Sequence, residues 1–405
     1  MERSLIDRPK PAGFPDHVVL PDYAAMSLPH VPSVIFQALG DSEANSPLAQ
    51  AVDVGRFERV VLVLIDGLGY RSLNRMIAAG TVPTLANLTR RGAYLPITSV
   101  FPSTTVTALT SLATGLAPVA HGMLGYRLYL REIDAITDMI RLQRLDGAER
   151  SDAPDLAEIL SIPTFCQRLS DREIASHIVL PRAIAGSGLS QLLYRGCTKI
   201  EQASGLPDMC VQVRRVLAEA TGPAFVTLYW PGLDTVAHSR GPESEAYQAE
   251  AMAIDAILGS QLVDRLEQTL LVLTSDHGMV TMEATDYREL STLGPVADSL
   301  TRLPVGEPRA SYLHLREADS SISGEIGSLE EGLLRIRADR VLASGLIGLG
   351  DAHPEARSRI GDELVVSTGT AGLFHPYPGA PRLRGMHGGL TDAEMLVPLI
   401  AAPFE

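Results

Sequence analysis

The 405-residue chain is poor in cysteine and in positive charge and lacks long apolar runs, and each scarcity excludes something. Cys166, Cys197 and Cys210 are an odd number and form no C-x-x-C, which argues against a disulfide framework or a cysteine zinc site. A reducing cytoplasm is the expected compartment. Lysine and arginine number 34 against 48 aspartates and glutamates, a net charge of −14. That balance offers no general attraction to a nucleic-acid polymer or an acidic membrane. A small anionic substrate stays compatible with it, because bound cations invert the local field. No stretch approaches the ~18 consecutive apolar residues of a membrane span. The first residues carry Glu2, Asp7 and several prolines rather than a signal-peptide core, so a soluble, intracellular protein is expected. There is no internal repeat and no low-complexity segment.

What is present belongs to a globular protein. Hydrophobic residues make up 45% and charged residues 20% of the chain, enough for a sizeable core. The length suits two or three domains, or one large domain with an insertion. Prolines 9, 11, 15, 21, 29 and 32 disfavour long helices in residues 1–55, which read as an irregular wrap around the core. Apolar runs at Val60–Ile65, Ala224–Trp230 and Leu270–Ser275 read as buried parallel strands. Further strands are expected at Ala93–Val100, Ala175–Leu180 and Met395–Ala402, and helical patterns alternate with them. This rhythm spans residues 56–280 and 381–405. Residues 281–380 break it with short elements and Gly/Pro-rich loops and read as an inserted cap over the site.

Three of the apolar strands end in chemistry. Val60–Ile65 runs into Asp66-Gly67, Ala224–Trp230 into Asp234 and His238, and Leu270–Ser275 into Asp276-His277-Gly278. Carboxylates at the C-terminal ends of such strands stand where open α/β sheets bind ligands. Asp234 and His238 are four apart and share a face if helical. A further histidine, His387, follows in Gly385-Met386-His387-Gly388. Three carboxylates and three imidazoles are the donor set of a paired, zinc-type site. A fourth strand leads through Phe101-Pro102-Ser103-Thr104-Thr105 into a helical run stopped by Gly115. Hydroxyls at a helix start commonly cap it. Alternatively, one of them is a nucleophile beside an anion held by the helix N-terminus.

Taken together these pieces resemble the alkaline phosphatase superfamily, and most closely its nucleotide pyrophosphatase/phosphodiesterase branch. The resemblance covers about residues 58–125, 222–280 and 384–402, with the matching pieces in the family's order. It implies a three-layer α/β core with a largely parallel central sheet, helices on both faces and an inserted α+β cap. It implies two zinc ions, or other divalent ions such as manganese. One would be held by Asp234, His238 and His387, the other by Asp66, Asp276 and His277 with Thr105 as a further ligand. Thr105 then falls on the nucleophile, and Thr104 is a neighbour or cap. The branch usually carries an asparagine that donates to a phosphoryl oxygen where this chain has Ala108, so Thr107 or Arg127 is considered for that contact. The sulfatase signature is absent, and a serine nucleophile of the phosphoglycerate mutase type does not match.

The implied activity is hydrolysis of small phosphate esters, as a phosphodiesterase or nucleotide pyrophosphatase working through a phosphothreonine. A phosphomonoesterase, or a phosphonate or sulfate ester hydrolase, is the alternative on the same core. A metal-stabilised binding protein without turnover is the non-enzyme alternative.

Overall fold

The computed structural model describes residues 2–41, 45–145, 159–316 and 326–405. Its centre is a seven-stranded sheet. Arg59–Ile65 is the middle strand, paired in parallel with Ala224–Trp230 on one side and Thr269–Thr274 on the other. Ala175–Pro181 and Lys199–Ala203 extend the sheet in parallel beyond Ala224–Trp230. Leu396–Phe404 runs antiparallel between Thr269–Thr274 and the edge strand Ala93–Thr98. The run Val-Val-Leu-Val-Leu-Ile of residues 60–65 is buried along its whole length, as a strand covered on both faces must be.

Apolar side chains on the two faces of this sheet feed two separate cores. Leu62 and Leu64 face one, with Val106, Leu109 and Leu112 of the helix Thr105–Thr114. Val61, Val63 and Ile65 face the other, with Leu73, Met209, Val213 and Ile254 of three helices. The alternation of a strand's side chains thus sorts one apolar run between two helical layers.

Residues 2–41 include only short helices, the longest being Val31–Ala38. The segment follows the sheet edge, where the Asp22 amide donates to Thr98 Oγ1 and the Thr98 amide to the Met26 carbonyl.

The second sheet departs from the boundaries expected from sequence. Its eight strands include Val305–Glu307, Ala310–Leu313, Ile326–Glu330, Leu333–Arg337 and Glu363–Ser367 from the region read as an insertion. They also include Arg127–Leu130, Ala135–Asp138 and Gln143–Arg144, from residues 56–280. The junction is Val305–Glu307, which pairs antiparallel with both Ala310–Leu313 and Arg127–Leu130. A pairing between residues some 180 positions apart leaves no trace in local periodicity. Residues 146–158 of the charged stretch 127–160, and 317–325 of the region 281–380, lie outside the described residues.

Candidate active site

Parallel pairing in register brings the strand ends together. Ile65 lies opposite Trp230 and Leu64 opposite Thr274, so Asp66 and Asp276 emerge side by side at one edge. Asp234 stands in the first turn of the helix Gly232–Arg240, and His238 one turn on. Gly67 has φ +74, and a Cβ there would lie 3.1 Å from the backbone of Asp234. Only glycine lets the first loop pass that close to the second.

Two triads result. Asp66, Asp276 and His277 form one and Asp234, His238 and His387 the other, with one donor atom from each residue within 4.8 Å of the others in its triad. His277 Nε2 is 3.5 Å from Asp66 Oδ1 and 3.4 Å from Asp276 Oδ2. His238 Nε2 is 3.4 Å, and His387 Nε2 3.9 Å, from Asp234 Oδ1. Most of these gaps are too long for good hydrogen bonds. Three of the four match donors about 3.3–3.6 Å apart around a tetrahedral ion with bonds of about 2.0–2.2 Å, and the His387 gap is slightly wider.

The remaining atoms of the same side chains are already engaged. Tyr229 donates to Asp66 Oδ2. Asp276 Oδ1 accepts from the amides of Gly67 at 3.3 Å and His277 at 3.0 Å. Asp66 Oδ1, Asp276 Oδ2 and Asp234 Oδ1 are buried and have no hydrogen-bond partner among the described residues. Each imidazole meets a backbone carbonyl through Nδ1: His238 that of Gly385 at 2.7 Å, His277 that of Gly278 at 3.1 Å and His387 that of Ser103 at 3.0 Å. A carbonyl can only accept, so the ring proton sits on Nδ1 and the Nε2 lone pair faces the triad. This is the arrangement that orients metal-bound histidines. The donor set therefore fits divalent cations of the zinc type, and orphaned buried carboxylate oxygens call for a positive charge.

The electrostatics of the protein chain alone point the same way. Burial first, and then Asp276 and Asp234, hold the Asp66 carboxyl well above the usual carboxylate range. Burial also raises Asp234. Burial, followed by His277 and His238, pushes His387 well below the ordinary imidazole value. Clustered acids resist ionising together, and clustered bases resist protonation.

Thr104 and Thr105 diverge at the helix start. The Thr105 hydroxyl lies 3.2 Å from His277 Nε2, at the first triad. Thr104 occupies the N-cap position but caps nothing with its side chain. Its hydroxyl donates instead to Glu307 Oε1 at 2.8 Å. The reading of Thr104 as a neighbour fits; a side-chain cap does not form, and the hydroxyl is turned toward Glu307 of the second sheet. The first-turn N–H groups are thereby left uncovered by that side chain, and Ala108 is the first residue of the turn to bond back, to the Thr104 carbonyl.

A cavity of about 360 Å³ opens onto Thr105, Asp234, His238 and His387. Both Arg127 and the insertion contribute walls, the latter through Glu307, Phe374 and His375. Thr107 is fully buried and does not line the cavity, and its hydroxyl finds no partner. Of the two residues considered in place of the missing asparagine, only Arg127 faces the cavity.

Several site residues escaped sequence reasoning. Tyr229 sits one residue before the end of its strand, where a tyrosine reads as core. Glu307 sits in a short strand of the second sheet with no motif around it. Ser103 holds the His387 loop, its hydroxyl accepting from the Gly388 amide at 3.2 Å and donating to the Gly389 carbonyl at 3.0 Å. Arg309 and Glu394 are a fully buried ion pair, and Glu394 Oε1 accepts from the Gly389 amide at 2.8 Å. None of these carries a spacing that points to its partner.

Residues 60–341 match the family model described as type I phosphodiesterase / nucleotide pyrophosphatase. Human ectonucleotide pyrophosphatase/phosphodiesterase family member 1 is 25% identical over 234 residues, 55% of this chain and 24% of that protein. An uncharacterized pyrophosphatase/phosphodiesterase of Schizosaccharomyces pombe is 23% identical over 263 residues, 61% of this chain and 49% of that protein. The match therefore spans less than half the length of each of these relatives. Among solved structures, murine ectonucleotide pyrophosphatase/phosphodiesterase 5 superposes with a TM-score of 0.65 at 16% identity, over 85% of this chain and 88% of that one. An inactive threonine-to-alanine variant of it, in complex with AMP, superposes equally well, with a TM-score of 0.65 at 16% identity over 85% of this chain and 87% of that one. Phosphonoacetate hydrolase from Sinorhizobium meliloti, in complex with phosphonoacetate, gives 0.62 at 20% identity, over 86% of this chain and 90% of that one. At these identities the structural likeness is one of fold.

Proposed function

This chain belongs to the type I phosphodiesterase / nucleotide pyrophosphatase family, and on that footing we propose that it hydrolyses small phosphodiesters or nucleotide pyrophosphate bonds with Thr105 as nucleophile. The observation that carries the reading is the Thr105 hydroxyl 3.2 Å from His277 Nε2, in a triad whose Asp66 Oδ1 and Asp276 Oδ2 have no hydrogen-bond partner among the described residues. A similar fold made inactive by a threonine-to-alanine change agrees with a threonine at the centre of the chemistry.

Asp66, Asp276 and His277 would hold one divalent cation and Asp234, His238 and His387 a second. Zinc suits this mixed imidazole–carboxylate set, with manganese as the substitute. Such ions, when bound, lower the proton affinity of a hydroxyl and neutralise charge on the phosphoryl group and leaving oxygen. Thr105 Oγ1 forms the new bond to phosphorus while the bond to the leaving alkoxide or phosphate breaks. Water then cleaves the phosphothreonine, releasing phosphate monoester and the free hydroxyl. The first-turn N–H groups, uncapped by the Thr104 side chain, would meet the charge that gathers on the nonbridging oxygens. Tyr229 and the three Nδ1–H···O=C contacts keep the ligand atoms aimed before any substrate arrives.

A phosphomonoesterase or a phosphonate hydrolase on the same core is the competing reading. No helix among the described residues is long and apolar enough to cross a membrane. The three cysteines are free, which supports work in a reducing compartment such as the cytoplasm.

The test is turnover of chromogenic diester and monoester substrates by the zinc-loaded protein, with acid quench and peptide mass spectrometry on the reacting enzyme. Diester hydrolysis is expected, with the phosphoryl group trapped on Thr105 still carrying its second ester arm. Phosphate found on Thr104 or Thr107, or monoester turnover alone, would overturn the corresponding part.

A further inference from the structure

The geometry points to Arg127 as a second anion site within this cavity, selecting phosphoryl substrates that carry a further carboxylate or phosphoryl group away from the reacting phosphorus. The inference rests on the hydrolase reading above and adds the substrate class to it.

Arg127 is the one Lys or Arg among the described residues that line the cavity. Its guanidinium carbon lies 4.8 Å from the ring centroid of Tyr126 and 4.6 Å from that of Tyr377. Stacking uses the flat faces of a guanidinium and leaves its N–H edges for planar anions such as carboxylate or phosphate. Those edges meet no acceptor among the described residues: Arg127 forms no ion pair there, and its Nε is buried without a partner. A buried, unpartnered cationic donor is costly unless a ligand completes it.

The walls of this subsite are themselves fixed. Tyr126 donates its hydroxyl to Asp138 Oδ2 at 2.8 Å and its amide to Glu307 Oε1 at 2.7 Å. Tyr377 donates its hydroxyl to the Pro304 carbonyl at 2.9 Å and its amide to the His375 carbonyl at 2.8 Å. The guanidinium is thus positioned in advance, which spares an incoming anion the ordering penalty.

His375 borders this subsite without adding a donor to it. It is 2% exposed, lines the same cavity, and its Nδ1 has no partner. Its Nε2 lies 2.7 Å from Ser311 Oγ, which also reaches the Glu307 carbonyl at 2.9 Å. Ser311 gives its one hydrogen to that carbonyl, so the imidazole donates Nε2–H to Ser311 Oγ and its Nδ1 is left as a bare acceptor. Burial and the nearby Arg127 push His375 down to about 3, so it stays neutral and leaves the anion to Arg127.

A contact of Arg127 with the reacting phosphoryl is the less favoured role. At the helix start the Thr104 hydroxyl and the Tyr126 amide both close onto Glu307, so a carboxyl group stands beside the threonine pair. The reacting oxygens already have the helix N-terminus and the two triads.

The experiment uses three diesters of 4-nitrophenol whose other ester arm is ethyl, carboxymethyl or 2-phosphoethyl, assayed with the metal-loaded wild type, Arg127→Leu and Arg127→Lys. The leaving group and reacting phosphorus are constant, so only the second anion varies. Wild-type kcat/KM is expected to favour one or both anionic arms over ethyl by about tenfold or more, the scale of a charge-assisted hydrogen bond. Which arm gains separates a carboxylate from a phosphoryl ligand. Arg127→Leu should erase the preference, costing the anionic diesters about tenfold or more beyond its cost to the ethyl diester, while Arg127→Lys keeps part of it. Equal loss on all three diesters would overturn the inference and move Arg127 to the reacting phosphoryl group. Absence of any preference in the wild type would overturn it outright, whether or not the variants fold. If no diester is turned over, the hydrolase reading fails by itself. Calorimetric binding of non-cleavable phosphonate analogues with the same three arms then decides the subsite: weaker binding of only the anionic analogues by Arg127→Leu supports it, and equal binding rejects it.

Discussion

The hydroxyl of Thr105 stands 3.2 Å from Nε2 of His277, while the neighbouring hydroxyl of Thr104 turns away to Glu307. Two adjacent threonines at one helix start therefore have different chemistry. Thr105→Ala is expected to reduce turnover by at least ~10³-fold, the scale of losing a covalent nucleophile. Fold and metal content should persist, because six ligand residues remain. Thr104→Ala should keep most turnover and lose about 1–3 kcal/mol of stability by leaving Glu307 short of a donor. Single-turnover kinetics and denaturant unfolding of both variants provide the check.

Tyr229 donates to Asp66 Oδ2 and leaves Oδ1 for a cation. Tyr229→Phe removes that donor while keeping the ring. Metal affinity at the Asp66 triad should fall by about 10–100-fold, as when an outer partner of a metal ligand is lost. Competition with a chromophoric chelator measures it, and unchanged affinity would mean the hydroxyl does not orient the carboxylate.

The two triads share no residue, although the His277 and His387 rings stack with centroids 3.6 Å apart. His387→Ala should release mainly the ion of the Asp234 triad. Metal analysis after dialysis should find close to half the wild-type content. Loss of both ions or of neither would mean that the partition is wrong or that the stacked rings couple the sites.

Glu394 anchors the His387 loop through the Gly389 amide and is itself paired with Arg309, both fully buried. Removing one partner leaves an uncompensated buried charge. Arg309→Met is therefore expected to destabilise the fold by about 3–5 kcal/mol, read from the denaturant midpoint.

The acid side of the pH profile follows from the raised carboxyls. In the ion-free protein, Asp66 and Asp234 have folded pKa values above the unfolded one. Their contribution to stability is complete below the unfolded pKa and is lost as pH rises through the folded pKa. Cations reverse this by binding the ionised form, and protons compete with them. The gain in Tm on adding zinc should therefore be larger at pH 7.5 than at pH 5. An equal gain at both values would show that the carboxylates are not ligands.

Much of this was legible along the chain because the relevant signals are local. Continuous apolar runs such as Val60–Ile65 identify buried strands, and Gly115, at φ +73, ends the threonine helix where a left-handed residue is needed. The six acidic and imidazole residues sit at strand ends or in short motifs whose spacing can be read without knowing what packs against them. In parallel strands the register then does the assembly, since Ile65 opposite Trp230 and Leu64 opposite Thr274 align the following loops automatically. What the sequence by itself could not determine depends on contacts between distant segments. Glu307 reaches Thr104 across 203 positions, Tyr229 reaches Asp66 across 163, and Arg127 joins the second sheet by pairing with Gly306. No periodicity or motif encodes such a pair, because each partner alone is an ordinary residue in its own element. Only tertiary packing decides that one threonine faces the Asp66, Asp276 and His277 triad and the other a glutamate, and that an arginine on a strand of the second sheet is held between two tyrosines at the cavity wall.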